Sequence, residues 1–251
     1  MNSLAVIILT KNEEVNIVDA IEAAKACATE VLVVDSGSTD GTVELAKAHG
    51  ARVVFRAWTN DFAAQRNFAL TQTEADWVFY VDADERITPD LAQAVEQVIA
   101  ANEAKQYSVT RKSVAFGTKF NHGVLKPDHV ARLFPRTAVT WVNPVHEHPE
   151  CDLPLVQLPG YLEHYTYRSW AQWEGKVMQY TSIWAEEAYE RGRRISLSGV
   201  FLHSLGGFFK MFFGRLGFLD GWMGVFMCCH HFFYETMKYL KLHEQQRMKQ
   251  K

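Results

Sequence analysis

The sequence predicts an α/β fold built on a largely parallel sheet and followed by a helical extension. Three observations carry this expectation. Apolar β-rich runs alternate with helically spaced segments over the first hundred residues, acidic turns close two of those runs, and the chain becomes helical after Tyr167. The 251 residues, 48% of them hydrophobic, suffice to bury a substantial core, which excludes a disordered chain and a small disulfide scaffold. Cys27, Cys151, Cys228 and Cys229 form no CxxC pair and no regular spacing. Neither a zinc site nor a disulfide framework is indicated, and a reducing compartment is the simpler reading.

The elements follow in order. Leu4–Thr10 is a continuous apolar run and reads as the first strand; residues 15–28 have helical spacing; 31–35 form a second β-rich run. Residues 42–49 read as a helix closed by Gly50, 52–56 as a strand, 63–72 as a helix, Trp77–Asp82 as a strand, and 90–101 as a helix after Pro89. Such alternation implies a sheet covered on both faces, with ligands bound beyond the carboxyl ends of its strands. From Gln106 to Glu163 short strand-like pieces are broken by Gly117, Gly123, Pro127, Pro135, Pro144, Pro149, Pro154 and Pro159, a loop-rich mixed region. Residues 170–191, 198–216 and 221–240 then read as helices.

The net charge of −3 conceals an asymmetry. Residues 191–251 carry 10 basic and 3 acidic side chains, or +7, which leaves −10 on the first 190. The same segment holds 12 of the 32 aromatic residues. A basic, aromatic end on an acidic body points to a membrane surface or nucleic acid as partner. Met1-Asn2-Ser3 runs directly into an apolar strand without a basic n-region or cleavage site, so export is not expected. The longest uncharged runs, 195–209 and 221–234, are interrupted by His or Gly and fall short of the roughly 20 apolar residues that span a bilayer.

Two motifs stand where chemistry is expected. Val33-Val34-Asp35-Ser36-Gly37-Ser38-Thr39-Asp40-Gly41-Thr42 ends the second strand. Its acid can accept hydrogen bonds from a base or ribose while the turn lets backbone approach a ligand, although the same turn would also serve as a polar connection with Thr39 or Asp40 as helix N-cap. Glycine spacing excludes both GxGxxG and a P-loop. Tyr80-Val81-Asp82-Ala83-Asp84-Glu85 ends the fourth strand and sets Asp82 and Asp84, an Asp-x-Asp pair, on one side, where two carboxylates repel unless a cation lies between them. Oxygen ligands of this kind suit Mg²⁺ or Mn²⁺, which would bridge a substrate diphosphate.

Together with Ile7-Ile8-Leu9-Thr10-Lys11-Asn12-Glu13 and Ala64-Gln65-Arg66-Asn67, these motifs resemble family 2 glycosyltransferases of the GT-A fold over about residues 4–160. The resemblance implies inverting transfer from a nucleotide-sugar, usually a UDP-sugar. By it, Thr10, Asn12 and Glu13 line the nucleoside pocket and Asp35, with Ser36 and Gly37, meets the uracil. Asp82 contacts ribose or sugar beside Ala83, Asp84 holds the divalent metal, and Arg66, Lys11 and Arg132 are candidate cations for the diphosphate. A single displacement also needs a general base opposite the leaving group. The chain lacks the Glu-Asp or Asp-Asp pair many members use and offers Val142-Asn143-Pro144-Val145-His146-Glu147-His148-Pro149, which resembles a subgroup with a His-Glu pair. Glu147 is then the base, and His146 a metal ligand or diphosphate contact.

Phe201, Leu205, Phe208, Phe212 and Leu216, and Trp222, Phe226, Cys229, Phe233, Met237 and Leu240, recur at helical spacing among basic residues. They read as core, as an interfacial face attracted to anionic lipid, or as a homo-oligomer interface. Gly217-Phe218-Leu219-Asp220-Gly221-Trp222-Met223-Gly224 narrows the resemblance to bacterial lipopolysaccharide core β-glucosyltransferases. That implies a GT-A catalytic domain over 1–165, binding the nucleotide-sugar with residues up to about 100 and the acceptor with 101–165, and a docking extension over 166–251. It also implies a UDP-sugar donor, a lipid-linked saccharide acceptor and a peripheral place on the cytoplasmic face of the inner membrane. The alternatives are another UDP-sugar, a different cell-surface or protein acceptor, a sugar-1-phosphate nucleotidyltransferase, or a non-enzymatic binding module. Nucleic acid is not expected as a partner, because the acidic body opposes an extended positive footprint.

Overall fold

In the parallel part of the sheet, alternate side chains go to opposite faces and both faces are covered. The computed structural model describes residues 2–144 and 147–248. In chain order the elements are β1 (Leu4–Thr10), α1 (Ile17–Ala24), β2 (Glu30–Asp35), α2 (Thr42–Ala48), β3 (Arg52–Phe55), α3 (Phe62–Leu70), β4 (Trp77–Asp82), β5 (Glu85–Ile87) and α4 (Pro89–Ala101). They continue with β6 (Gln106–Ala115), β7 (Thr118–Lys119), β8 (Asp128–Pro135), β9 (Thr140–Val142), β10 (His148–Glu150), β11 (Leu155–Tyr167), α5 (Trp170–Glu190), α6 (Leu197–Phe209) and α7 (Gly221–Met248). The chain divides into two compact units, Met1–Arg111 with Asp128–His164, and Lys112–Pro127 with Tyr165–Lys251.

In the first unit the strand order runs β3-β2-β1-β4-β8-β6-β11-β5. β3, β2, β1 and β4 are mutually parallel, whereas β8 runs antiparallel to both β4 and β6, and β5 antiparallel to β11. The parallel sheet expected over the first hundred residues is present in β1–β4. Residues 106–164, expected as a mixed region, supply antiparallel strands, because no helix there carries the chain back and strands return directly. The expectation of short pieces there holds for β7, β9 and β10 but not for β6 and β11. β6 has 10 residues and β11 has 13, and β11 passes through Pro159-Gly160 without ending. Gly160 takes φ +81°, and a Cβ there would lie 2.5 Å from the Leu91 nitrogen, so only glycine lets β11 cross the start of α4.

Leu4, Val6 and Ile8 pack with Ile17, Ile21, Leu91 and Val95 on one face, while Ile7, Leu32, Val34 and Tyr80 pack with Ala63, Ala69 and Trp141 on the other. Register then aligns the strand ends. Thr10 pairs with Asp35, and Leu9 with both Val34 and Asp82, so the carboxyl ends of β1, β2 and β4 share one edge.

In the second unit, α5 and α7 enclose Trp173, Val177, Met223 and Met227, with Ala115 and Phe120 completing the cluster. Val200, Tyr239 and Leu242 form a further cluster with Ala185 and Ala188. The buried seam of α6 and α7 differs from the aromatic stripe read from the sequence. Val200, Ser204, Met223, Met227, Cys228, Tyr239 and Leu242 are buried, whereas Phe201, Trp222, Phe226, Phe233 and Leu240 are exposed. Ser204, Met223, Met227 and Cys228 allow close helix approach, and of the large rings Tyr239 is buried while those of Phe201, Trp222, Phe226 and Phe233 remain outside.

Candidate active site

Thr10, Asp35 and Asp82 lie at strand ends, Arg66 in α3, Arg132 within β8 and Glu147 just before β10. After β2, Asp35 is 4% exposed and accepts hydrogen bonds from the Gly37 N–H (2.9 Å), the Ser38 N–H (3.1 Å) and the Ser38 hydroxyl (2.5 Å). Its carboxylate thus ties the turn, whose Gly37 has φ +94°. Asn12, in the left-handed region, joins this turn to the end of β1. Its N–H donates to Ser38 Oγ and its Oδ1 accepts from the Thr39 N–H, both at 2.8 Å.

The Ala64-Gln65-Arg66-Asn67 motif separates into four tasks. Ala64 donates its N–H to the Asp61 carboxylate, the N-cap of α3 (2.8 Å). Gln65 Nε2 donates to Ser36 Oγ (2.8 Å) and to the Arg56 carbonyl (3.0 Å). Asn67 exchanges two hydrogen bonds with the Trp141 backbone (2.8 and 2.9 Å). Arg66, 4% exposed, lies 4.6 Å from the Trp141 ring centroid and points Nη2 between Asp82 Oδ1 and Glu147 Oε1, each at 3.3 Å. The aromatic face and the carboxylates fix the guanidinium from different sides.

Behind this layer stands a buried charge network. Arg132 Nη2 donates to Asp82 Oδ2 (2.7 Å) and approaches Glu85 Oε1 (3.4 Å), while Glu85 Oε2 accepts the Asp82 N–H (2.9 Å). Burial opposes ionisation of Asp82, but the Arg132 and Arg66 charges outweigh it and hold its carboxyl well below the usual range. For fully buried Glu85 the balance is opposite. Burial raises it, Arg132 opposes that, and the Asp82 charge adds to the rise.

Leu9, Thr10, Lys11, Glu13, Ser36, Arg66, Asp82, Ala83, Asp84 and Glu147 line one cavity of about 410 Å³, a size suited to a small-molecule ligand. The other expected site residues, Asn12, Asp35, Gly37 and Arg132, are not part of that lining. His146 lies outside the described residues. Three residues that sequence reasoning missed also line the cavity: Trp58, Phe62 and His164. Trp58 and Phe62 meet edge to face at 4.6 Å. His164 Nε2 is 3.2 Å from Asp84 Oδ2. Burial lowers the His164 pKa, but the hydrogen bond to Asp84 and the Asp84 charge prevail and raise it. Among the described residues Thr10 Oγ1, Gln65 Oε1 and Arg66 Nη1 are buried without a protein hydrogen-bond partner, which leaves polar atoms to be satisfied by a ligand or water.

Strand ends that gather carboxylates and an arginine around a cavity, in a sheet of this order, fit a glycosyltransferase of GT-A type. The profile described as Glycosyl transferase family 2 matches residues 5–151, more than half the chain, and the protein belongs to that family. This sets aside the nucleotidyltransferase and the non-enzymatic module. An uncharacterized glycosyltransferase of Rickettsia typhi is 27% identical over 257 residues, covering 97% of this chain and 88% of its own. The lipopolysaccharide core biosynthesis glycosyltransferase LpsC of Rhizobium meliloti is 29% identical over 201 residues, 76% of this chain and 73% of its own. Among solved structures, glucosyl-3-phosphoglycerate synthase of Mycobacterium tuberculosis, in complex with Mn²⁺, UDP-glucose and phosphoglyceric acid, is similar at 26% identity with a TM-score of 0.37. That match covers 46% of this chain and 45% of the synthase, so the chain spans less than half the synthase's length.

Proposed function

We propose that this glycosyltransferase is an inverting enzyme that moves glucose from UDP-glucose onto a membrane-associated saccharide, a lipopolysaccharide inner-core heptose. Residues 1–165 form its catalytic part and 166–251 meet the membrane, on the cytoplasmic face of the inner membrane. The observation that carries the reading is one cavity in which Glu147, Asp84 and a buried Arg66, whose Nη1 has no partner among the described residues, converge from three separate chain segments. The likeness to LpsC supports the acceptor class. Among the described residues no helix is long and apolar enough to cross a membrane.

In this reading Thr10, Asn12, Glu13, Asp35, Ser36 and Gly37 bind the nucleoside directly or by shaping its loop. Arg66, Lys11, Asp82 and Ala83 meet the diphosphate and sugar, and Arg132 keeps Asp82 ionised. Glu147 takes the proton of the acceptor hydroxyl as that oxygen attacks the anomeric carbon from the face opposite UDP. The carbon–oxygen bond to the diphosphate breaks, its electron pair leaves with UDP, and the configuration inverts. Arg66 and Lys11 stabilise the charge developing on the leaving group.

The Asp84 carboxylate and the His164 imidazole, 3.2 Å apart at the cavity wall, are an oxygen–nitrogen pair that fits Mg²⁺ or Mn²⁺. Among the described residues no group of three such ligands occurs. Held there, the ion would act as a Lewis acid toward the leaving diphosphate.

The test is a thermal-shift screen of UDP-sugars with Mn²⁺, followed by transfer to purified core saccharide and assignment of the product anomer by NMR. UDP-glucose should give the largest shift and a β-linked product. Retained configuration, or no response to any UDP-sugar, would contradict the reading.

A further inference from the structure

Three glycines and a buried acid fasten the turn between α6 and α7. A Cβ on Gly217 would lie 2.4 Å from Cys228 Sγ and 3.2 Å from the Gly123 Cα, and one on Gly224 would lie 2.0 Å from the Gly217 carbonyl oxygen. Backbone therefore rests on backbone at two points, and no larger residue fits. Asp220, its side chain 4% exposed, accepts the N–H groups of Asn121 (3.1 Å) and His122 (2.8 Å) and pairs with His122 Nδ1 (2.8 Å). The Gly123 N–H donates to the Arg215 carbonyl at 2.9 Å. Leu216 is held at φ +54°, a left-handed conformation unfavourable for a branched side chain.

What this fastening presents is apolar. Phe209, Phe213, Leu216, Phe218 and Leu219 are all exposed, and Trp222 is 74% exposed. A segment this constrained, with its largest rings in water, has left apolar surface for a partner. Charge identifies the partner. From residue 191 to 234 the only carboxylate side chain is Asp220, which is turned inward, whereas Lys210 and Arg215 flank the rings and form no ion pair among the described residues. Within 209–222 the exposed side chains thus combine aromatic rings with cations, and the segment's one carboxylate is turned inward, the combination that partitions into an anionic lipid interface.

We propose that the segment 209–222 is a preformed wedge that inserts Phe218, Leu219 and Trp222 into the headgroup layer of an anionic bilayer, with Lys210 and Arg215 on lipid phosphates. The inference rests on the membrane-associated acceptor proposed above and names the element that makes the contact.

The experiment is co-sedimentation of the full chain with vesicles of phosphatidylcholine alone or with phosphatidylglycerol, together with thermal shift by UDP and Mn²⁺. The wild type should pellet with the anionic vesicles only, and brominated lipid should quench its tryptophan emission. F218S/L219S/W222S should lose about tenfold or more in partitioning while keeping its melting temperature and its response to UDP. W222F should still pellet but lose most of the quenching. A triple variant that pellets like wild type, or a wild type that never pellets, overturns the proposal. So does a dimer, seen by light scattering, that the triple variant loses while vesicle binding persists. Absence of any UDP response in a wild type that does bind vesicles removes the donor-site reading and leaves the wedge standing.

Discussion

Glu147 Oε1 lies 3.3 Å from Arg66 Nη2, across 81 residues of chain, and the same nitrogen lies 3.3 Å from Asp82 Oδ1. One guanidinium therefore sets the position of the proposed base and of a carboxylate on the donor side. Arg66→Met should uncouple them. Breaking a buried pair costs about 3–5 kcal/mol, and the low end applies because Asp82 keeps Arg132. Urea unfolding should show that loss together with weakened UDP binding, whereas Arg66→Lys, which keeps the charge without the fork, should recover part of each. An unchanged unfolding free energy in Arg66→Met would contradict the linkage.

Glu147→Gln keeps the shape and removes the basic oxygen. Single-turnover transfer should fall about 10²–10⁴-fold while the UDP-induced thermal shift is retained. Full activity in this variant would assign the base to another residue.

Burial pushes the Cys27 thiol up to about 12, with a smaller contribution from the Glu96 charge, and burial pushes Cys228 up to about 11. For a thiol whose folded pKa is raised, the stability contribution is complete below the unfolded value of about 8.5 and is lost as pH rises through the folded value. Unfolding free energy should accordingly decline from about pH 9 upward. At pH 8 a disulfide-exchange reagent should label exposed Cys229 rapidly, half-buried Cys27 more slowly, and buried Cys228 only on unfolding. Labelling of Cys228 at the rate of Cys229 would contradict its burial.

Two glycines of the second unit should respond in opposite directions to alanine. In Gly224→Ala the new methyl meets the Gly217 carbonyl oxygen at 2.0 Å, so α7 must shift, at a cost of about 1–3 kcal/mol. Gly206, within α6, has open space around it, and Gly206→Ala should stabilise by up to about 1 kcal/mol through helix propensity. Thermal melts of the two variants compare them directly.

The parts of this architecture governed by local pattern were legible in the sequence. β1 and β4 begin and end where their apolar runs do, and the acids that follow β2 and β4 stand at one sheet edge because register aligns Thr10 with Asp35 and Leu9 with Asp82. Arg66 was recognisable from its motif, but its two carboxylate partners became evident only through packing. His164 was not legible. It reaches Asp84 because β11 pairs with β5 in a register that sets His164 opposite Glu85, an interaction across most of the first unit that no short-range pattern encodes. Trp58 and Phe62 were missed for a related reason. They frame the cavity from the connection between β3 and α3, where neither apolar periodicity nor a charged motif marks them. In α6 and α7 the aromatic spacing indicated a stripe, but methionine, cysteine and serine positions supply the close contacts.

The central claim is that the cavity beside Asp84 binds a UDP-sugar through a divalent cation. Calorimetric titration of UDP into wild type and Asp84→Ala, each with and without Mn²⁺, tests it most directly. Wild type should bind UDP more tightly with Mn²⁺, and Asp84→Ala should lose that dependence; an equal Mn²⁺ effect in both proteins would rule out a cation held by Asp84.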